Sequence, residues 1–251
     1  MTAALVTATV APDLRAAVDS ALLWGAEAVV LRTVGRGRVP DVNEARVRAL
    51  LEEAETPAVA VDPGLFEGPA DARAMWLDDL ESLAALAPFC RRLGCETVIV
   101  GPLAGADREA NAAAEPLRRA GDAAARHGLR LAVRNDGAAP EAAALADLVA
   151  AVDHEAVLAT WSVAASRRAG EDSARAAAAL AGRPLALVEA DEAFALAPPE
   201  ASGLLALARG GFSGPVALAF GGVPEDGLGT TTALVRSIRQ ARRALREGAG
   251  A

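Results

Sequence analysis

The sequence contains no lysine and no tyrosine, so all 25 basic side chains are arginines. The absence of lysine excludes a lysine Schiff base, a lysine-anchored pyridoxal phosphate and a P-loop nucleotide site. The absence of tyrosine means that no phenol can act as an acid or a base. Whole classes of enzyme mechanism are therefore ruled out.

Cysteines and long apolar runs are also scarce. Cys90 and Cys95 are too few for a disulfide framework, and we expect both to be reduced, structural thiols. No apolar run approaches the roughly 20 residues of a membrane span, and residues 1–14 lack the pattern of a signal peptide. A net charge of −8 argues against nucleic acid as a partner. We expect a cytoplasmic protein that binds neither membrane nor nucleic acid.

What the sequence does contain is a repeat of short β-branched runs and alanine-rich helical stretches. The predicted strands are 4–10, 27–33, 57–62, 96–101, 129–135, 156–162, 184–190 and 215–220. The predicted helices are 13–24, 43–54, 72–93, 111–127, 140–152, 172–182, 200–209 and 229–247. Strands that are apolar almost throughout indicate burial on both faces, as in a parallel sheet covered by helices.

These eight repeats follow one another without a linker, and the first strand–helix turn lacks the GxGxxG pattern of a dinucleotide-binding fold. We therefore predict an α/β fold, a single (βα)8 TIM barrel domain over residues 1–251, rather than an open doubly wound sheet. In such barrels the chemistry takes place where the strands run into the loops that follow them.

Four junctions between elements resemble the xylose isomerase-like TIM barrels, a group that includes sugar phosphate isomerases and epimerases and endonuclease IV-type enzymes. They are ALLWGAEAVVLR (21–32), CRRLGCETVIVGP (90–102), AARHGLRLAVRN (124–135) and GGFSGPVALAF (210–220). The resemblance extends over most of the chain. It implies a barrel of this type and an activity that depends on a divalent metal ion.

The resemblance also implies a glutamate, an aspartate, a histidine and a glutamate as metal ligands at the ends of strands 5 to 8. Those positions correspond to Arg134, Trp161 to within one residue, Ala186 or Val188, and Ala219, and a further histidine position after strand 4 corresponds to Gly101. Divalent ions take carboxylates and imidazoles, which these positions do not offer. We therefore expect neither a metal ion nor another cofactor at this site.

Arg134 is expected to point into the mouth of the barrel, where a buried arginine requires partners. Arg32 and Asp62 end the neighbouring strands 2 and 3, and Glu189 and Asp191 come from strand 7. One interpretation is an anion site, in which Arg134 and Arg32 hold a carboxylate or phosphate and Asp62 or Glu189 moves a proton. The other is an internal salt bridge, in which Arg134 fills the vacant metal position. Side-chain alternation would turn Glu189 toward the helices if Val188 faces inward.

Asn135, Trp161 and Asp191 complete the candidate substrate-binding residues. Trp161 at the end of strand 6 is either a stacking platform for a sugar or a side chain that fills the empty site. The strand-8 loop, 221–232, has the composition of a phosphate cradle, but its threonines serve equally well as helix N-caps.

Three hypotheses for function follow. One is a metal-independent isomerase or epimerase acting on a sugar-like or carboxylated small molecule, with Asp62 or Glu189 as the base. Another is a non-catalytic relative that binds a metabolite or a partner protein. The third is a conventional metal-dependent isomerase. The arginine-rich segment 236–247 is either a solvated face or a contact with another copy or a partner subunit.

Overall fold

In the computed structural model, which describes residues 1–34, 37–103, 110–137 and 139–248, eight parallel strands close into a barrel. Strands β1 to β8 are Thr2–Val6, Ala28–Leu31, Ala58–Leu65, Thr97–Val100, Arg130–Arg134, Val157–Ser162, Leu185–Ala190 and Pro215–Leu218. Each strand pairs with the next along the chain, and β8 pairs with β1. The predicted α/β barrel is confirmed.

A helix follows each strand and covers the outside of the barrel. Helices α1 to α8 are Leu14–Trp24, Glu44–Glu53, Arg73–Leu93, Ala110–Arg126, Ala142–Val152, Ser173–Leu180, Leu204–Arg209 and Gly227–Gly248. Several helices begin at an acidic or amide side chain that accepts a backbone N–H, as Asp13, Asn43 and Asp172 do. Such caps supply partners that the first turn of a helix lacks. Among the described helices, none is both long and apolar enough to cross a membrane.

Extra elements lie in the loops at the carboxyl ends of the strands. They are three short helices, Thr7–Val10, Val163–Arg168 and Glu192–Leu196, and a hairpin that pairs Thr33–Val34 with Gly37–Arg38. The prediction of a strand through residue 10 is therefore wrong. The Thr9 hydroxyl donates to the carbonyl of Val6 and stabilises a helical turn where β-branched residues suggested a strand.

Side chains on the strands alternate between two cores. One core, between the sheet and the helices, contains most of the large apolar residues. The other lies inside the barrel and is built mainly from small residues: Ala4, Val6, Ala28, Val30, Ala60, Ile99, Ala132, Leu187 and Ala217. Because alternation has period two, residues two positions beyond these turn toward the mouth of the barrel.

The two cysteines form the end of helix α3. The N–H of Cys95 donates to the carbonyl of Cys90, and Gly94 between them is left-handed at φ 66°. This is the Schellman arrangement, in which the residues at these two positions make an apolar contact. Both thiols are free and buried, and burial raises the pKa of Cys90 to about 12 and that of Cys95 to about 11. Their environment fits the structural role expected of them.

Candidate functional site

Four strands bring charged side chains to the mouth of the barrel. Val30, Ala60, Ala132 and Leu187 belong to the interior core, and two residues further along their strands come Arg32, Asp62, Arg134 and Glu189. The alternation of β-strand side chains therefore turns all four inward. The condition under which Glu189 would face the helices, an inward Val188, is not met, because Val188 packs in the helix-facing core and Glu189 points the other way.

Asp62 is the centre of the charged cluster. Its Oδ2 accepts hydrogen bonds from Nε of Arg32 at 2.7 Å and from Nη1 of Arg134 at 2.5 Å. Its Oδ1 accepts the backbone N–H of Gly64 at 3.2 Å. With a side-chain exposure of 1 %, Asp62 has both oxygens bonded and almost no contact with solvent.

Glu189 completes the inner network from the opposite side of the barrel. Its Oε2 accepts a hydrogen bond from Nη2 of Arg32 at 2.9 Å and lies 3.8 Å from Nη1 of Arg134. Its other oxygen, Oε1, accepts no hydrogen bond from the described part of the chain. Two guanidinium groups and two carboxylates thus meet at the mouth with their charges in balance.

These contacts fix the ionisation of the inner network. Burial by itself would raise the pKa of Asp62, but the guanidinium groups of Arg134 and Arg32 outweigh it and hold that pKa below its usual value. Burial by itself would lower the pKa of Arg134, and the carboxylates of Asp62 and Glu189 instead raise it. Asp62 and Arg134 therefore remain charged at neutral pH.

A second ion pair extends the network to the rim. Nη2 of Arg38, on the hairpin after β2, lies 3.3 Å from Oε1 of Glu67, and the same Glu67 oxygen lies 3.6 Å from Nη2 of Arg134. Both Arg38 and Glu67 are about half exposed. They were not among the sequence-predicted site residues, because they come from loops whose path the sequence pattern leaves open.

Three other predicted site residues lie away from this network. Asn135 is fully buried, and its amide bonds the carbonyls of Pro140 and Ser162 while its Oδ1 accepts the N–H of Ser162. Asp191 caps the short helix after β7 and pairs with Arg167 at 2.9 Å. Both side chains hold loops in place, and among the described contacts neither bonds to the four charged residues of the network.

Trp161 also points away from the mouth. The strand residue two positions before Trp161 packs in the helix-facing core, so alternation turns Trp161 toward the helices as well. There it has no exposed surface, stacks edge-on against Phe194 and donates its indole N–H to Ser166. A tryptophan so enclosed presents no ring face to a ligand, so the stacking interpretation is not supported. The residue of β6 that does face the interior is Thr160.

The loop after β8, whose composition allowed either a phosphate cradle or a helix N-cap, holds a cap supplied by the protein itself. Asp226 accepts the N–H of Gly229 at 2.8 Å and so places a carboxylate at the start of α8. That carboxylate, rather than one of the threonines, caps the helix. An anion at this position would meet a like charge.

Two cavities lie elsewhere on the molecule. One of about 660 Å³ opens at the amino ends of β3 to β8, and another of about 390 Å³ lies between α1, α2 and the hairpin. In TIM barrels the amino-terminal face serves stability, whereas chemistry uses the carboxyl-terminal face. We therefore take the charged mouth, not either of these cavities, as the candidate site.

Comparison with known proteins bears on the fold alone. No family model and no curated protein matches the sequence. Among solved structures, a fusion of a xylose isomerase-like TIM barrel with 4-hydroxyphenylpyruvate dioxygenase matches with a TM-score of 0.76 and 17 % identity, over 99 % of this chain and 44 % of that one. An L-ribulose 3-epimerase matches with a TM-score of 0.73 and 14 % identity, over 99 % of this chain and 97 % of that one. The fold is a xylose isomerase-like TIM barrel.

A third matching structure is the IolI protein with a bound zinc atom. It has a TM-score of 0.71 and 14 % identity, over 96 % of this chain and 98 % of that one. Zinc is bound by histidine, cysteine and carboxylate groups. Among the described residues here, no group of three or more such side chains is arranged to hold a metal ion.

The described side chains at the mouth of the barrel do not form a site for a divalent ion. At the ends of β5 to β8 the inward side chains are Arg134, Thr160, Glu189 and Ala219. Arg134 is a cation, Ala219 offers only a methyl group, and the carboxylate of Glu189 is bonded to Arg32. Asp62 lies between two guanidinium groups, whose positive charge opposes a metal ion at the same place.

Gly101, where the resemblance places a further histidine, has no space for a side chain. The loop after β3 crosses the end of β4, so that a Cβ on Gly101 would lie 2.4 Å from the carbonyl oxygen of Phe66. The N–H of Gly101 donates to Leu65, and that of Leu103 donates to Phe66. Backbone therefore occupies the position of the side chain.

Proposed function

We propose that the protein binds a neutral, sugar-like molecule at the carboxyl-terminal mouth of the barrel, without a divalent metal ion. The observation that carries the proposal is the balanced network of Arg32, Arg134, Asp62 and Glu189 at the strand ends. Solved structures with the same fold include epimerases of sugars, which supports a sugar-like ligand.

Charge balance favours a polyhydroxylated ligand over an anion. Each guanidinium already has a carboxylate partner, so a bound phosphate or carboxylate would bring uncompensated negative charge into a half-buried site. A hydroxyl group both donates and accepts, and can bond to a guanidinium and a carboxylate at once. Arg32, whose side chain is 23 % exposed, is the inner arginine most accessible to such a ligand.

Catalysis of isomerisation or epimerisation is a second candidate function, favoured by the free Oε1 of Glu189 beside two guanidinium groups. The carboxylate would take a proton from the carbon next to a sugar carbonyl. The C–H electron pair would form a C=C bond, and the π pair of the carbonyl would move onto its oxygen, where Arg32 or Arg134 would stabilise the negative charge. Return of the proton from Glu189 to the former carbonyl carbon would complete an isomerisation, whereas an epimerisation would need a proton delivered to the opposite face of the carbon that lost it. Asp62, with its lowered pKa and two bonded oxygens, positions the arginines and is a weak base.

A binding module without catalysis is the alternative, favoured by the ion pairs that engage every inner charge. Interconversion of ketoses distinguishes the two. Glu189→Gln should abolish interconversion and change ketose binding no more than several-fold if Glu189 is the base. If the wild-type protein binds ketoses but does not interconvert them, the protein is a binding module.

The proposal is tested by calorimetric titration of EDTA-treated protein with L-ribulose and D-fructose, and with inorganic phosphate as the anionic probe. Arg134→Met should weaken ketose binding at least about tenfold, the loss of one charge-assisted hydrogen bond. Arg15→Met, in the exposed pair with Glu53, is the matched control and should bind as the wild type does. Binding that requires added Mn²⁺, or binding of phosphate in place of ketoses, would contradict the proposal.

A further inference from the structure

The hydroxyl of Thr160 is buried without a partner. Thr160 has no exposed surface, and its Oγ1 forms no hydrogen bond with any described residue. Most buried polar atoms in proteins are bonded, and one that is not calls for a group outside the chain, such as a water molecule or a ligand. The only other such side-chain atom among the described residues is Oγ1 of Thr231, in helix α8.

Thr160 points into the barrel below the charged mouth. Ala159 and Trp161, on either side of it, pack in the helix-facing core, so alternation turns Thr160 to the interior. In the register of the sheet it lies beside Arg134 of β5 and beside Leu187 of β7. Glu189 follows Leu187 by two residues and is therefore the next inward side chain above it.

On the side of Glu189 away from Thr160, the interior is lined by small side chains. Ala217 is the register partner of Glu189, and Ala4 and Ala28 follow across the next two strands. All three are fully buried and belong to the interior core. None of them has a polar side chain with which to satisfy the free Oε1 of Glu189, and Leu187, which lies beside Thr160, has none to offer its hydroxyl.

We propose that Thr160 Oγ1 and Glu189 Oε1 form a hydroxyl-binding subsite beneath the ion-pair network. A hydroxyl group placed between them would donate to the carboxylate and accept from the threonine, which satisfies both atoms. The hydroxyl belongs either to an internal water molecule or to the sugar-like ligand, and this second source rests on the proposed function. Thr160 is then a residue that determines specificity for hydroxylated ligands.

The test compares Thr160→Val, which keeps the shape and removes the hydroxyl, with Thr160→Ser, which keeps the hydroxyl. If water fills the subsite, a crystal of ligand-free protein shows an ordered oxygen within hydrogen-bond distance of Thr160 Oγ1, and Thr160→Val lowers the Tm by about 2–4 °C. If the ligand supplies the hydroxyl, Thr160→Val leaves the Tm unchanged or raises it but weakens L-ribulose or D-fructose binding about tenfold, and Thr160→Ser retains it.

Thr231→Val is the matched control, since it removes the other unpartnered buried hydroxyl and should leave ketose affinity unchanged. The subsite is overturned if no ordered oxygen is present and Thr160→Val neither lowers the Tm nor weakens ketose binding. Failure of the wild type to bind ketoses would instead overturn the proposed function. An ordered oxygen at Thr160 would in that case still support the subsite.

Discussion

At the scale of single residues, Arg134 depends on its neighbours for its place in the barrel. Its side chain is 11 % exposed, and a guanidinium so enclosed requires a carboxylate partner. Asp62 supplies that partner at 2.5 Å, and Arg32 in turn joins Asp62 to Glu189. Removing one member of such a buried pair costs about 3–5 kcal/mol, because the remaining charge is left uncompensated.

Asp62→Asn should therefore lower the free energy of unfolding by about 3–5 kcal/mol at pH 7. The pKa of Asp62 is lowered in the folded protein, and its unfolded value is about 3.9. The stability from ionised Asp62 is thus fully present above about pH 4 and is lost as the pH falls through the folded pKa. Urea unfolding of both proteins from pH 7 to pH 2.5 checks this: the gap between them should narrow below about pH 4. A constant gap would show that ionisation of Asp62 is not linked to folding.

Some residues of this site could be predicted from the sequence, and the orientation of others could not. Arg32 and Asp62 were predicted as candidate neighbours of Arg134 because they end strands 2 and 3, and in the structure both arginines form ion pairs with Asp62. The direction of Glu189 was left open because it depended on that of Val188. The position at the end of strand 6 was assigned to Trp161 to within one residue, and of these residues it is Thr160 that faces inward. In strands buried on both faces, apolar and polar residues do not alternate, so the sequence gives little indication of which side chains face inward. An irregular register between Ala159 and Thr160 also alters the alignment of β6 with β7. The roles of these residues toward a ligand stay predictions.

At the scale of elements, strand β3 shapes the mouth more than its predicted length suggests. It continues to Leu65, which pairs with Val100, and the following Phe66 is buried in a left-handed conformation at φ 58°. Such a conformation is costly for a bulky residue and persists only where surrounding contacts fix it. Hydrogen bonds from Gly101 and Leu103 to this segment provide those contacts.

Gly101→Ala should destabilise the protein by about 1–3 kcal/mol, since the added Cβ meets backbone that must shift. The carbonyl oxygen of Phe66 lies 2.4 Å from the position of that Cβ. Gly221→Ala is the matched control, because a Cβ there meets nothing within 4 Å. Thermal and urea unfolding should separate the two variants. Equal stabilities would mean that the loop after β3 does not lie against Gly101 in solution.

The core elements were predictable from sequence, whereas the elements around the mouth were not. Apolar strands and alanine-rich helices of the barrel match the predictions to within a few residues. The hairpin at 33–38 and the short helices at 163–168 and 192–196 were missed. Short elements like these depend on side-chain caps and tertiary contacts, such as the bond of Asp191 to Phe194, more than on hydrophobic period.

At the scale of the whole molecule, closure of the barrel joins the two ends of the chain. Strand β1 pairs with β8 over four residue positions, and Trp24 of helix α1 stacks edge-on against Phe220 after β8. The first and last repeats are therefore adjacent in the barrel, as are all repeats that follow one another along the chain. No strand of the barrel has an unpaired edge at which part of the sheet would separate from the rest.

We predict from this closure that residues 1–251 unfold as one cooperative unit. Trp161 reports on the core beside β6 and Trp24 on the contact between α1 and β8, so variants that retain one of these as the only tryptophan sample different parts of the barrel. In Trp24→Phe/Trp76→Phe and in Trp161→Phe/Trp76→Phe, the urea midpoint from fluorescence should equal the midpoint from far-UV circular dichroism. Loss of the Trp161 hydrogen bond to Ser166 will lower the midpoint of the second variant but should lower both signals together. Separate midpoints within one variant would mean that the barrel unfolds in parts, and that the prediction of a single domain is wrong.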